Sequence, residues 1–174
     1  CNKTALYLAA EKNNYDVINL LLCHSGNQID TSSFQKCSKL TYVEIPSSIT
    51  TIGDYAFYCC SSLTKVIIPP SVNSIGQSAF RECVLLSEIQ LPSAVTFIGD
   101  HAFLGCTTLT QFEFPPSLKY LGKFALRGCS SLTQLRIPSS LTQINEYAFS
   151  GCTSLIFVTI PSSITYIGEY SFSN

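Results

Sequence analysis

The chain has 174 residues, 46% hydrophobic and 12% charged, with a formal net charge of −1. Such a balance leaves no basic stripe for nucleic acid, because Lys65, Lys119 and Arg136 stand singly. No apolar run is long enough to span a membrane, so the hydrophobic fraction belongs to an interior.

In chain order, the segment "KTALYLAAEKNNYDVINLLLCHSGNQID" comes first. Its apolar spacing predicts two helices, near 4–12 and 15–23. Cys23 is expected to pack within this pair. His24 falls at a helix C-terminus, where a cation suits the dipole, and Gly26 follows as a stop.

From Cys37 onward everything repeats every 23 residues. Proline marks Pro46, Pro69, Pro92, Pro115, Pro138 and Pro161, and cysteine marks Cys37, Cys60, Cys83, Cys106, Cys129 and Cys152. Leucine keeps the same step at Leu40, Leu63, Leu86, Leu109, Leu132 and Leu155. A glycine column runs through Gly53, Gly76, Gly99, Gly122 and Gly168, with Asn145 in the gap; a left-handed turn is expected there. Within "LTKVIIP", Val66 and Ile68 share the inner face of a short strand, while Lys65 and Ile67 point outward. Pro69 ends the ladder, and Val72 and Ile75 return the chain to the interior. "QSAFREC" reads as a turn or short helix with Ala79, Phe80 and Cys83 facing in. The phenylalanine column, Phe34, Phe57, Phe80, Phe103, Phe149 and Phe172, is interrupted only by Leu126. One such unit cannot bury its apolar face alone, and stacking six makes a continuous core.

The unit C-x-x-L-x-x-ϕ-x-ϕ-P-x-S-ϕ-x-x-I-G-x-x-A-F resembles the BspA-like, or Treponema pallidum type, leucine-rich repeat, over about 80% of the chain. The first segment resembles one ankyrin repeat. Thr4, Leu6, Ala9 and Ala10 match its first helix, and Val17, Ile18, Leu21 and Leu22 its second; Ala5 and Tyr7 replace the usual proline and histidine. The resemblance implies an α/β solenoid: a leucine-rich repeat stack of 23-residue coils led by an ankyrin-like helical hairpin. The hairpin, 1–33, would cap the solenoid, 34–174, with six units from 37. The resemblance further implies a surface protein with a role in adhesion. The Ser-, Thr-, Ile- and Tyr-rich spelling resembles members from mucosal protozoa such as Trichomonas. Both ends fall within motifs and Met is absent, so a piece of a longer protein is expected.

Chemistry-bearing residues are sparse. The cysteine column reads as packing, since a 23-residue spacing is not a zinc pattern. Cys59 stands where other copies carry Glu82, Gly105, Gly128 and Gly151, so it should be more exposed, and Cys1 is expected to be an exposed end residue. His24 and His101 form no catalytic dyad, and no G-x-S-x-G elbow occurs. Asn2 opens an N-K-T sequon in a place where modification is not expected. No enzyme activity and no cofactor are expected.

Function in repeat folds lies on variable positions of the constant frame. The outward strand positions are Tyr42, Glu44, Lys65, Ile67, Glu88, Gln90, Gln111, Glu113, Gln134, Arg136, Phe157 and Thr159. A second row comprises Phe97, Lys119, Tyr120, Gln143 and Tyr166. The mix of aromatic, amide and weakly charged groups suits a protein or glycan ligand better than a small molecule. Equally, these residues can simply solvate the face. A protein-binding or adhesion module at the cell surface is expected, with a cytoplasmic scaffold or a spacer as alternatives. The last copy keeps Leu155, Val158, Ile160, Ile164, Ile167 and Phe172 apolar, so a homodimer through the C-terminal coil is also expected.

Overall fold

The computed structural model describes residues 2–24 and 26–174, the first three of these by backbone alone. The readings made above for Cys1 and for the side chains of Asn2 and Thr4 lie outside the described residues.

Two helices open the chain, α1 (Asn2–Glu11) and α2 (Tyr15–Cys23), close to the expected bounds. Asn14 caps α2 by accepting from the Val17 amide at 3.2 Å, and His24 closes it, with Nδ1 2.7 Å from the Leu20 carbonyl. Leu6, Ala10, Ile18 and Leu22 are buried. Cys23 is exposed, contrary to expectation, because the buried face of α2 runs through Ile18 and Leu22. The pair docks on the first coil by polar as well as apolar contacts. The Tyr15 hydroxyl lies 2.8 Å from Thr41 Oγ1, and the Thr41 amide donates to Asn13 Oδ1 at 3.3 Å.

The rest is a parallel β-solenoid. We number its coils 1 to 6 from the cysteines Cys37, Cys60, Cys83, Cys106, Cys129 and Cys152. One continuous five-stranded ladder joins β1 (Gln28–Ile29), β3 (Thr51–Ile52), β5 (Ser74–Ile75), β6 (Phe97–Ile98) and β7 (Tyr120–Leu121). Its register is 23 residues, Ile52 against Ile75 and Ile75 against Ile98. The ladder therefore begins at Gln28, ahead of the first cysteine of the repeat. The pair β9 (Gln143–Ile144) and β11 (Tyr166–Ile167) continues the same side. On the other side, β2 (Tyr42–Glu44) pairs with β4 (Lys65–Ile67), and β8 (Gln134–Arg136) with β10 (Phe157–Thr159). The segment "QSAFREC" is a turn, as are its counterparts, so helix is confined to the N-terminal pair among the described residues. The expected alternation of helix and strand is not what builds the coils.

Side chains bind coil to coil as regularly as the backbone does. Ser71, Ser117, Ser140 and Ser163 each donate from Oγ to a carbonyl 22 residues back. Thr64, Thr96, Thr110 and Thr165 donate to carbonyls 23 residues back. The abundant hydroxyls are thus ladder groups. In the core, Phe34, Phe57, Phe80 and Phe103 stack at 5.0, 5.2 and 5.3 Å. Leu126 breaks that stack, and coil 4 compensates from its strand side. Phe112 contacts the Phe103 ring at 5.0 Å and Phe114 at 4.9 Å, and Phe114 reaches Phe149 at 6.2 Å. Other coils carry Val43 and Ile45, or Leu135 and Ile137, at those two positions.

The glycine column corrects the expectation of a left-handed turn. None of Gly53, Gly76, Gly99, Gly122 and Gly168 has positive φ. Their role is close approach: a Cβ on Gly76 would lie 2.7 Å from the Asp54 amide nitrogen and 2.8 Å from the Gly53 carbonyl carbon. Asn145 stands in this column with its Nδ2 donating to the Leu121 carbonyl at 2.6 Å. The left-handed residues form two other columns. One runs through Tyr55, Ser78, His101, Phe124, Tyr147 and Tyr170, with φ between 52° and 58°. The other holds Lys36, Cys59 and Glu82 and then Gly105, Gly128 and Gly151. A side chain in that conformation costs about 1–2 kcal/mol, partly offset by the extra chain entropy glycine loses on folding. Cys59→Gly, which moves φ +57° onto the residue type used by the later coils, should therefore raise stability by roughly 0.5–1 kcal/mol. Urea unfolding would register this as a higher midpoint at unchanged m.

Candidate functional site

The twelve residues singled out on the strand face all lie on one side of the solenoid, and all but half-buried Tyr42 are exposed. Alternation explains this. Val43, Val66, Ile89, Phe112 and Leu135 between them are buried, which turns their neighbours outward. At one end Tyr42 bonds through its hydroxyl to Glu44 Oε2 at 3.1 Å and meets the Tyr15 ring edge-on at 5.6 Å. At the other, Phe157 and Thr159 belong to β10.

The middle of this face is built differently from its ends. Between coils 2 and 3, 3 and 4, and 4 and 5 the strand ladder is interrupted: residues 88–90 and 111–113 form no strand. Thr110 bridges coils 3 and 4 beside this stretch, its amide donating to the Ser87 carbonyl at 3.2 Å and its hydroxyl to the same oxygen at 3.4 Å. The bulky pair Phe112 and Phe114 sits within this stretch and fills the space behind it. A depression opens at each interruption. The first, about 300 Å³, is lined by Lys65, Ile67, Glu88 and Gln90 over Val66 and Ile89. The second, about 420 Å³, lies among Glu88, Gln90, Gln111 and Glu113, with Ile89 and Leu91 below. The third, about 470 Å³, joins Gln111 and Glu113 to Gln134 and Arg136. Shared residues make the three one trough, so the structure brings together eight of the twelve residues and leaves Tyr42, Glu44, Phe157 and Thr159 as flanks.

The sequence did not reveal the floor of this trough. Leu91 and Phe114 are half-buried core positions in the repeat pattern, and only the local loss of strand pairing brings them to a surface depression. The sole sequence signal was the double phenylalanine of "QFEF" beside the missing one at Leu126.

The second row is less of a unit. Phe97 and Tyr120 stack at 5.0 Å, and the Tyr120 hydroxyl donates to Asp100 Oδ1 at 3.2 Å, while Gln143 and Tyr166 oppose each other in the separate β9–β11 pair. His101 lies in a ring column, 4.7 Å from Phe124, and that column continues to Tyr147 and Tyr170. Burial, and then the Arg81 charge, lower its pKa from the usual value. Among the described residues, no group of three or more His, Cys, Asp or Glu is placed to hold a metal. No described helix is long and apolar enough to cross a membrane.

The columns that build this frame also identify it. Residues 12–108 and 73–174 match the family model of the BspA type leucine rich repeat region, six copies. Among solved structures, a leucine rich repeat protein of T. pallidum is 31% identical, with a TM-score of 0.79 over 82% of this chain and 66% of that one. A leucine rich cell surface protein of Faecalibacterium prausnitzii is 36% identical, with a TM-score of 0.79 over 84% of this chain and 40% of the other. A leucine-rich repeat protein of Bacteroides ovatus is 31% identical, with a TM-score of 0.69 over 82% and 43%. The chain thus spans about two thirds or less of each of these relatives. A search of curated proteins finds no match. The family is one of non-catalytic repeat proteins. With its six copies in register and its parallel 23-residue ladder, this chain belongs to the BspA-type leucine-rich repeat family.

Proposed function

We propose that the strand face from Tyr42 to Thr159 binds a protein partner and that the chain is an adhesion-type module displayed at a cell surface. One observation carries this reading. Eight outward residues, varied in type along the coils apart from Gln111 and Gln134, line a single trough over the interrupted ladder, on a frame whose inward columns repeat with few exceptions. The F. prausnitzii protein, described as a cell surface protein, supports the location. Trough side chains of amide and charged character over an apolar floor suit a polypeptide and leave a glycan ligand without a specific observation in its favour. The test uses beads coated with the protein and applied to epithelial cells. A variant with Lys65, Gln90, Gln111, Glu113, Gln134 and Arg136 all changed to Ser should lose adhesion. Protease treatment of the cells should abolish binding, and glycosidase treatment should not. Undiminished adhesion of the sextuple variant would overturn the reading.

The α1–α2 pair keeps the two-helix outline of the ankyrin-like sequence, which supports a helical cap at 1–33 before a solenoid at 34–174, although Gln28–Ile29 already pairs with the next coil. A protozoan source rests on residue spelling alone. Self-association through coil 6 is favoured by its exposed Ile156, Phe157, Ile160 and Ile167. Sedimentation should then show a concentration-dependent dimer that Ile160→Lys weakens.

A further inference from the structure

The middle depression of the trough has a chemistry that its neighbours lack. It alone holds two carboxylates, Glu88 of coil 3 and Glu113 of coil 4, diagonal to each other, with Gln111 and Gln90 at the equivalent positions of the facing coils. Both glutamates are exposed, and the recorded ion pairs of the described residues, Lys39–Glu11 and Lys123–Glu146, involve neither. Lys65 and Arg136 lie in the flanking depressions, one coil further out on either side. Charge along the axis therefore runs positive, negative, negative, positive. Beneath the carboxylates the floor is apolar, made by Ile89 and Leu91. Alongside them the main chain of 88–90 and 111–113 has no ladder partner across the gap.

We propose that the depression between coils 3 and 4 is the seat for a single arginine or lysine side chain carried on an extended segment of the partner polypeptide. The proposal rests on the protein-binding reading of this face. An apolar floor under paired carboxylates fits the methylene stem of a long basic side chain while its charged head stays at the rim. A guanidinium can bond both carboxylates, and the two glutamine amides offer further donors and acceptors. The extended form follows from the trough itself, which runs from coil 2 to coil 5 along one face and so accommodates a polypeptide laid along it. Two carboxylates and two amide oxygens on exposed side chains are a poor cage for a metal ion, which takes six or more oxygens in the calcium case. Lys65 and Arg136 repel a second basic residue on either side, so the seat selects one base and disfavours a polybasic run.

Nitrogen–proton correlation spectra of the whole chain, titrated with acetyl-Thr-Val-Arg-Val-Thr-amide, test this directly. The side-chain amides of Gln90 and Gln111 should shift with a dissociation constant of roughly 1 mM. Glu88→Gln and Glu113→Gln should each weaken binding by about fivefold, the size expected of an exposed ion pair. Glu44→Gln, on the same face but outside the depression, should leave it unchanged. The peptide with Glu in place of Arg should produce no shift at either amide. Equal shifts with that peptide, or shifts confined to other residues, would overturn the seat. Argininamide binding as tightly as the peptide would overturn the extended segment. Calcium shifting the same amides at lower concentration than the peptide would overturn the choice of a basic side chain. None of these outcomes touches the bead assay, so the seat can fail while the protein-binding face stands.

Discussion

Raising the pH from 8 to 10 should unfold this solenoid, and the cysteine column is the cause. Five thiols donate to carbonyls of the preceding rung, from Cys60 to Phe34 at 3.0 Å through to Cys152 to Leu126 at 3.3 Å. Burial raises every one of them above the usual 9.0: Cys106 to about 12 and Cys152 to about 11, with Cys60, Cys83 and Cys129 also pushed well up. The unfolded chain releases these protons as pH passes 9, whereas the folded chain holds them. The unfolded state then binds fewer protons, so stability is complete below pH 9 and falls as pH rises toward the folded values. At pH 10 each thiol contributes a loss of about 1.4 kcal/mol. Five together give on the order of 7 kcal/mol, comparable with the whole stability of an ordinary domain. Urea midpoints measured at pH 7.5, 9 and 10 should drop steeply over the last interval. Cys106→Ser with Cys129→Ser, which keeps a donor and removes two titrations, should flatten the slope. Midpoints unchanged between pH 8 and 10 would refute the account. At pH 8, iodoacetamide should label exposed Cys23 and partly exposed Cys59 while the column thiols stay protected.

The second large effect belongs to the ring stack. Phe80 is 0% exposed and lies between Phe57 at 5.2 Å and Phe103 at 5.3 Å. Phe80→Ala should cost about 3–5 kcal/mol, because neighbours held by the five-stranded ladder and by turn-to-turn bonds such as Phe80 N to the Ala102 carbonyl cannot close the cavity. Phe172 offers the contrast: half-buried, with one ring neighbour, Phe149, inclined at 26°. Its change to alanine should cost roughly 1–2 kcal/mol, near the transfer value of a partly buried side chain. Denaturant titration of the two variants side by side decides it, and equal losses would show that rung position does not set the cavity cost. Hydrogen exchange should also loosen coils 1 to 3 together in Phe80→Ala, since each coil leans only on its neighbours.

Repetition made the frame legible before any coordinates. The inward columns, the strand parity that exposes Lys65 and Ile67, and the helix pair were all readable, because a column repeated six times averages out local ambiguity. What failed were features defined by distance between coils. Gly76 could be seen to need no side chain, but a left-handed turn and a backbone contact below 3 Å leave the same signature in one sequence. The reverse held at Tyr55 and Phe124, whose positive φ is set by the turn despite residues that disfavour it. The twelve outward residues form one row in the sequence, yet the trough takes only the central eight. Its limits follow from where hydrogen bonds between strands stop, which no periodic pattern records.

Leu126, Phe112 and Phe114 bear on how such a protein can change length. Elsewhere a coil meets its neighbours through the same side chains, so gaining or losing one 23-residue unit by unequal recombination leaves every junction familiar. Coil 4 is the exception, since its rings reach backward to Phe103 and forward to Phe149. Excising it joins two phenylalanine rungs that stack normally, but duplicating it sets Leu126 over a second leucine, with no ring between them. Loss of coil 4 is therefore tolerated like loss of any other unit, while its duplication is the one change of copy number that leaves an unfamiliar junction.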